Sequence, residues 1–357
     1  MFGSILSRYG FDESEFSVKV YGNGLINHTW KIIYAGKEFL LQKINQQVFS
    51  KPEDILDNCS LLAAYFKENH PGYLFVSPIH ALNHLNYVVD EEKNYYRLFP
   101  YIKNSYSCNT VTNPLLAFEA AKQFGKFTRL LSAFDPAQLH ITLPDFHNLA
   151  LRYRQFLQAL QTGTPERLEK SSACQAFLHS QQGIVKQFEA ALKKPAFTQR
   201  VIHHDAKINN VLFDLGTHLG LCVIDLDTVM AGYYISDIGD MLRTYLSPAG
   251  EEESDGHLIE IREAYFQQIV EGYLGEMQFQ LSDEELSYFV YAGKFAIYLQ
   301  AIRFLTDYLN NDRYYLTQYP DHNLVRANNQ VILLQRYLEK EVRLNQILEN
   351  YLQQVKT

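Results

Sequence analysis

The stretch at 201–214, V-I-H-H-D-A-K-I-N-N-V-L-F-D, restricts the fold of this chain more than any other segment. Apolar residues enter it, a knot of His, Asp, Lys and Asn fills its middle, and V-L-F leaves it. Two apolar, β-forming runs around a polar knot predict a strand, a tight turn and a second strand. A further apolar run at 222–228, C-V-I-D-L-D-T, ends in carboxylates.

The spacing H-x-D-x-x-x-x-N places His203, Asp205 and Asn210 in one turn, and V-I-D places Asp225 at the end of the next hairpin. That arrangement suits phosphoryl transfer from a magnesium nucleotide. Asp205 accepts the proton of a substrate hydroxyl, while Asn210 and Asp225 offer hard oxygens to Mg²⁺. A polar hairpin with satisfied turn residues is the plainer alternative. The flanking strands and the carboxylate that follows favour the catalytic reading, which is the loop pattern of protein kinases and their small-molecule relatives.

The chain has 357 residues, enough for two lobes and a sizeable core. Its formal net charge of −8 argues against a nucleic-acid partner, which would require a basic face. The 25 Tyr and 23 Phe read mainly as packing and interface residues, although such rings also stack on sugars. Cys59, Cys108, Cys174 and Cys222 are widely spread without a C-x-x-C pair, which predicts reduced, mostly buried thiols. The N-terminal residues show no basic segment followed by an apolar one, and no run approaches about 20 apolar residues. The expectation is a cytoplasmic protein without a membrane partner.

Residues 1–15 read as a short amphipathic helix and turn. Runs at 16–20, 29–34 and 38–44 predict a three-stranded meander, with the first turn carrying G-N-G around Gly24. Glycine there would let backbone amides approach nucleotide phosphates, although a plain hairpin turn uses the same residues. Lys43 in F-L-L-Q-K-I-N is the candidate phosphate-binding lysine. Strand alternation sends Gln42 and Lys43 to opposite faces, and the sequence leaves open which one faces the nucleotide. Pro52 opens an amphipathic helix whose Glu53 or Asp57 would pair with that lysine or lie in solvent. Strands are expected at 74–79 and 85–90, and a last one at 95–102, where backbone near Phe99 and Tyr101 would meet adenine.

From about Asn113 the pattern turns helical, with helices at 114–134, 145–162, 166–192, 258–275, 283–310 and 329–354. Ser236-Asp237 reads as the cap of a further helix, S-D-I-G-D-M-L-R. The helix at 283–310 is nearly apolar all round and should be buried. The expected division is 1–102 for a nucleotide-binding lobe and 103–357 for a catalytic and substrate-binding lobe.

With H-H-D-A-K-I-N-N-V-L-F-D, C-V-I-D-L-D-T-V-M-A-G, S-D-I-G-D-M-L-R, F-L-L-Q-K-I-N-Q-Q-V-F and R-F-L-T-D-Y-L…Y-P-D-H-N-L-V-R-A in view, the chain resembles the aminoglycoside phosphotransferase and choline kinase superfamily. It is most similar to the N-acetylhexosamine 1-kinases within it, over about residues 20–330. The resemblance implies an α+β, protein-kinase-like two-lobed fold with a small sheet lobe, a larger helical lobe and the nucleotide in the cleft. It implies Asp205 as catalytic base, Lys207 neutralising the transferring phosphate, and Asn210 and Asp225 holding Mg²⁺. His203 braces the loop, and Asp237 hydrogen-bonds the loop backbone. Asp227 is either a second carboxylate near the metal or a turn-capping residue. For the sugar it points to His28, Arg303 and Tyr314. Thr244 stands after the arginine of D-x-x-R, where these kinases can have an aromatic residue lining the acetamido pocket.

The expected activity is transfer of the γ-phosphoryl of ATP to the anomeric hydroxyl of N-acetylglucosamine or N-acetylgalactosamine. Two rivals remain. One is the same chemistry on another small hydroxyl acceptor, and the other is a nucleotide-binding scaffold with little transfer activity. Asp205, Asn210 and Asp225 argue against the scaffold, because a binding module need not keep a base.

Overall fold

The computed structural model describes residues 2–12, 16–22 and 26–356. The chain forms two compact units: 1–106 with 134–144 and 212–231, and 107–133 with 145–211 and 232–357.

The first unit is built on an antiparallel sheet. Its strands are β1 (Phe16–Val20), β2 (His28–Tyr34), β3 (Lys37–Lys43), β4 (Val88–Val89) and β5 (Tyr95–Pro100), in the spatial order β1-β2-β3-β5-β4. Ala35 and Gly36 both have positive φ (48° and 72°), the twist that a two-residue hairpin between β2 and β3 requires. Alternation sends Ile32, Leu41 and Leu98 to one fully buried face, and Leu41 is paired directly with Leu98. Helix α1 (Phe2–Leu6) closes this core with Ile5 and Leu6. Helix α2 (Pro52–Asn69) starts with Pro at its first position and two acids in its first turn, and buries Ile55, Leu56, Cys59, Leu62 and Phe66.

The sequence predicts strands at 74–79 and 85–90, but only Val88–Val89 pairs in that region. Residues 74–79 form no ladder, and Ile79 N donates to Leu98 O (2.7 Å). Pro78, which lacks an N–H, sits immediately before that single bond. A second small sheet joins Ser105–Tyr106, Val211–Asp214 and Gly220–Val223.

The second unit is helical. It contains α3 (Pro114–Leu130), α4 (Leu149–Thr162), α5 (Pro165–Lys170), α6 (Ser172–Ser180), α7 (Gly183–Ala191), α8 (Ile235–Tyr245), α9 (Glu263–Met277), α10 (Asp283–Leu286), α11 (Phe289–Leu309) and α12 (His322–Lys356). Helix α11 is the axis of the core and packs against α12, α8 and α4. Seventeen of its residues are buried, consistent with its apolar perimeter. Helix α8 lies unusually close to it at Gly239, where a Cβ would fall 2.5 Å from Ala292 O. Glycine at that point fixes the depth of α8, and with it the placement of Asp237 and Asp240.

Helix boundaries differ from the sequence reading most at three places. Residues 166–192 form three short helices instead of one, broken at Ser171 and at Gln181–Gln182. The 283–310 segment splits at Ser287–Tyr288, and the last helix starts at His322. Helical periodicity runs on through such single-turn breaks, so hydrophobic spacing cannot place them. Among the described residues no helix is long and apolar enough to cross a membrane.

Candidate active site

The polar knot is a tight loop held from below. Strand Arg200–Ile202 delivers His203 and His204, and His204 adopts a left-handed backbone (φ 65°). Asp237, in the first turn of α8, accepts His203 N at 3.0 Å and His204 N at 2.7 Å. Its carboxylate therefore clamps the neighbouring loop, as the family resemblance implied, while the capping bond that Ser236-Asp237 suggested for α8 itself is not formed. Burial pushes the Asp237 carboxyl up to about 7 against the pull of those two N–H donors. Tyr245 OH donates to Ala206 O (2.7 Å) and pins the next peptide. His203 packs its ring edge against Phe124 (5.2 Å).

Asp205 projects from this clamped loop with 30% of its side chain exposed. Asn210 Nδ2 donates to both Asp205 O and Oδ2, each at 2.9 Å, and Lys207 Nζ lies 3.4 Å from Oδ1. Desolvation raises the Asp205 pKa, but Lys207, His203 and Asn210 outweigh it and hold the carboxyl below the usual range. Asp205 in turn raises the Lys207 ammonium. The pair is thus ionised at neutral pH, with the carboxylate still reachable.

Behind the loop lies a buried charge relay. Arg243 Nη2 bonds Asp240 Oδ1 at 2.8 Å, and Arg243 Nη1 bonds Glu251. Burial raises Asp240, and the nearby Arg243 and Lys207 oppose that shift. Asp205, Lys207, Asp240, Arg243, His147 and Arg303 line a recess of about 60 Å³. That is room for a hydroxyl or a few waters. Arg303 also lines a larger cavity of about 420 Å³ with Arg152, Gln155, Tyr314 and Tyr315. Arg303 makes no ion pair with Asp307. Its guanidinium lies over Phe146, Tyr314 and Tyr315 at 5.3–5.7 Å instead. Asp307 is spent on the backbone of the following loop, accepting the N–H groups of Arg313, Tyr314 and Tyr315 at 2.8–3.0 Å. Thr244 donates its hydroxyl to Asp240 O (2.7 Å) and is not among the residues lining either cavity.

The first unit carries the remaining predicted residues. Gln42, on β3, faces inward and accepts from Arg97 Nε (2.9 Å) and Nη2 (2.6 Å). Lys43 points to the other face, its Nζ 5.9 Å from the Tyr96 ring. Arg97 forms a buried ion pair with Asp227 at 2.6 Å, and Asn27 Nδ2 donates to the other oxygen of that carboxylate at 2.8 Å. Asp227 is therefore fully engaged within its own unit. Asp225 stands two residues before it in a left-handed conformation (φ 61°, ψ 63°), which Asp tolerates better than most residues. Phe99 lies beside the Arg97 guanidinium (5.1 Å), and Tyr101 N donates to Glu38 O while its ring carries Lys31 Nζ at 3.8 Å. His28 is exposed and stacks on Trp30. Gly24 lies outside the described residues.

Magnesium in such sites keeps waters and takes one or two protein oxygens together with substrate phosphates. Asn210 fits this need, since its Nδ2 is engaged by Asp205 and its amide oxygen is the atom left for a hard cation. Asp225, a carboxylate on a fixed turn, has the matching donor chemistry.

Sequence reasoning missed Arg97, Arg152, His147, Asp240, Arg243, Glu251 and Gly232. The D-x-x-R of Asp240 and Arg243 was visible as spacing, but Glu251 reaches Arg243 only through the loop that follows α8. Gly232 was unremarkable in V-M-A-G, yet a Cβ there would lie 2.3 Å from His204 Nε2.

A model of the phosphotransferase enzyme family (APH) matches residues 17–275, and the chain belongs to that family. Among solved structures, a microcompartment-associated aminopropanol kinase superposes with a TM-score of 0.63 at 16% identity, covering 94% of this chain and 96% of its own. A spectinomycin phosphotransferase in complex with ADP and its antibiotic gives 0.57 at 15%, covering 95% of each chain. A choline kinase from Cryptosporidium parvum gives 0.54 at 15%, covering 93% and 92%. The fold is thus the mixed α+β kinase-like fold of aminoglycoside phosphotransferases and choline kinases, with an N-terminal antiparallel sheet and a larger helical part.

Proposed function

We propose that the protein is an ATP-dependent small-molecule kinase that phosphorylates the anomeric hydroxyl of an N-acetylhexosamine, releasing ADP and the sugar 1-phosphate. The observation that carries this reading is Asp205. It is an ionised, one-third-exposed carboxylate beside a hydroxyl-sized recess that shares Arg303 with a cavity of about 420 Å³.

The hydroxyl oxygen attacks the γ-phosphorus, the bond to the β-bridging oxygen breaks, and the hydroxyl proton passes to Asp205. Asn210 fixes the Asp205 carboxylate in position and Lys207 balances its charge, so the loop supplies orientation before the reaction begins. Asn210 and Asp225 are the residues we assign to magnesium, which would supply neutralisation of the charge developing on the transferring phosphate. Backbone near Phe99 and Tyr101, with the Gly24 turn, is assigned to the nucleotide, whereas Lys43, on the face opposite Gln42, is not. Arg303 and Tyr314, which line the cavity of about 420 Å³, are assigned to the sugar.

Amino-alcohol acceptors fit less well. An ammonium group calls for an available carboxylate, and Asp307, which lines the larger cavity, is already saturated by donors. The test is an acceptor panel with ATP and Mg²⁺, reading ADP release and the phosphorylated position. Turnover of N-acetylhexosamines to 1-phosphates supports the proposal. Turnover confined to choline, aminopropanol or an aminoglycoside would replace it with another acceptor on the same chemistry.

A further inference from the structure

Most part-buried cations of this acidic chain are paired. Arg97 meets Asp227, Arg167 meets Asp312, Arg200 meets Glu285, Arg243 meets Asp240 and Glu251, and Arg326 meets Glu252. Arg262 donates instead to the carbonyls of Tyr245, Leu246 and Ser247. Arg152 and Arg303 break the pattern. Among the described residues neither makes an ion pair, and both line the same cavity of about 420 Å³.

Their remaining contacts are weak for guanidiniums. Arg152 gives Nη1 to Gln155 (3.1 Å) and Nη2 to Asp145 O (3.1 Å), and its buried Nε has no hydrogen-bond partner. Arg303 gives Nη1 to Gln300 at 3.4 Å and is otherwise held over aromatic faces. Ring quadrupoles hold a cation in place without cancelling its charge. The cavity's own carboxylate, Asp307, takes three backbone N–H groups and Asn323 Nδ2 and is 6% exposed, so it does not serve as counter-ion. Burial and then the charge of Arg303 lower the Arg152 guanidinium, outweighing the opposing pull of Tyr314, Tyr315 and Asp145, as expected where a neighbouring cation acts more strongly than any compensating anion. Two adjacent guanidiniums with unmet donors form a fork for an oxyanion.

We propose that the acceptor carries an oxyanion, a carboxylate or a phosphate ester, on the part of the molecule away from the reacting hydroxyl, and that Arg152 and Arg303 hold it. This rests on Asp205 as the base of the proposed kinase and narrows the acceptor class to an acidic sugar. Arg303, which lines both the recess and the cavity, links the anion to the reacting end.

The experiment compares kcat/KM for N-acetylglucosamine, its C6 uronic acid and its 6-phosphate, with wild type, Arg152→Gln and Arg152→Lys. The expected result is a preference of tenfold or more for at least one acidic acceptor, erased in Arg152→Gln and partly kept in Arg152→Lys. The uronate and the 6-phosphate separate a carboxylate subsite from a phosphate subsite. A neutral sugar used as well as both acids, or an acid preference unchanged in Arg152→Gln, overturns the proposal. Should no sugar be phosphorylated, the sugar assignment fails and the anion site is decided separately. Calorimetry with glucuronate and glucose 6-phosphate on the nucleotide-free protein then shows binding weakened at least tenfold in Arg152→Gln. No saturable binding to wild type, or equal binding to both proteins, overturns it.

Discussion

Arg97 Nη2 and Asp227 Oδ1 lie 2.6 Å apart, with their side chains only 2% and 4% exposed. Gln42 from β3 completes the guanidinium's partners and Asn27 the carboxylate's. The inward position of β3 beside this pair therefore belongs to a neutral amide, while Lys43 takes the opposite face. A buried pair of this kind is costly to break from one side, because the surviving charge keeps its desolvation penalty. Arg97→Met should lower unfolding stability by about 3–5 kcal/mol in urea titrations, and adding Asp227→Leu should recover much of it. A single substitution costing under about 1 kcal/mol would show that the pair does not hold the unit together.

The Asp237 carboxyl, raised to about 7 by burial, gives a pH signature. Its ordinary value is 3.8, so between roughly pH 4 and 7 the folded protein binds a proton that the unfolded chain has released. The stabilisation tied to that proton is complete below about pH 4 and is lost as pH rises through about 7. Asp237→Asn cannot titrate there. The stability of wild type minus that of Asp237→Asn should fall from pH 5 to pH 8 in denaturant titrations, and a flat or rising difference would contradict it.

Asp205→Asn preserves the bonding shape of the loop and removes the proton acceptor. It should keep nucleotide affinity and lose about 10²-fold or more in kcat. Retention of more than about a tenth of wild-type kcat would remove Asp205 from the role of base.

Asp225→Asn keeps a residue tolerant of the left-handed backbone at φ 61° while deleting the charge. ATP binding measured with magnesium should weaken about tenfold or more, and binding in EDTA should change little. Equal weakening in both conditions would make Asp225 a folding residue and not a metal ligand.

The sequence by itself determined the elements whose signals are local. Apolar alternation with a turn at Ala35–Gly36 marked the β2–β3 hairpin, and Pro52 and Pro114 marked two helix starts. The spacing of His203, Asp205 and Asn210 marked the loop, because turn chemistry, strand alternation and caps are written over a few consecutive residues. The tertiary structure decided what depends on packing between distant segments. Alternation showed that Gln42 and Lys43 differ in face, but only the pairing of β3 with β5 turned Gln42 toward Arg97. The equal choice for Asp227 was likewise settled toward a structural role by Asn27, 200 positions earlier. Arg303 and Asp307 stand one helical turn apart, yet Asp307 is claimed by the loop at 313–315 and Arg303 is left to aromatic rings. A side chain's partner is the best donor or acceptor that folding brings within about 3 Å, and spacing along the chain says little about which distant group that will be.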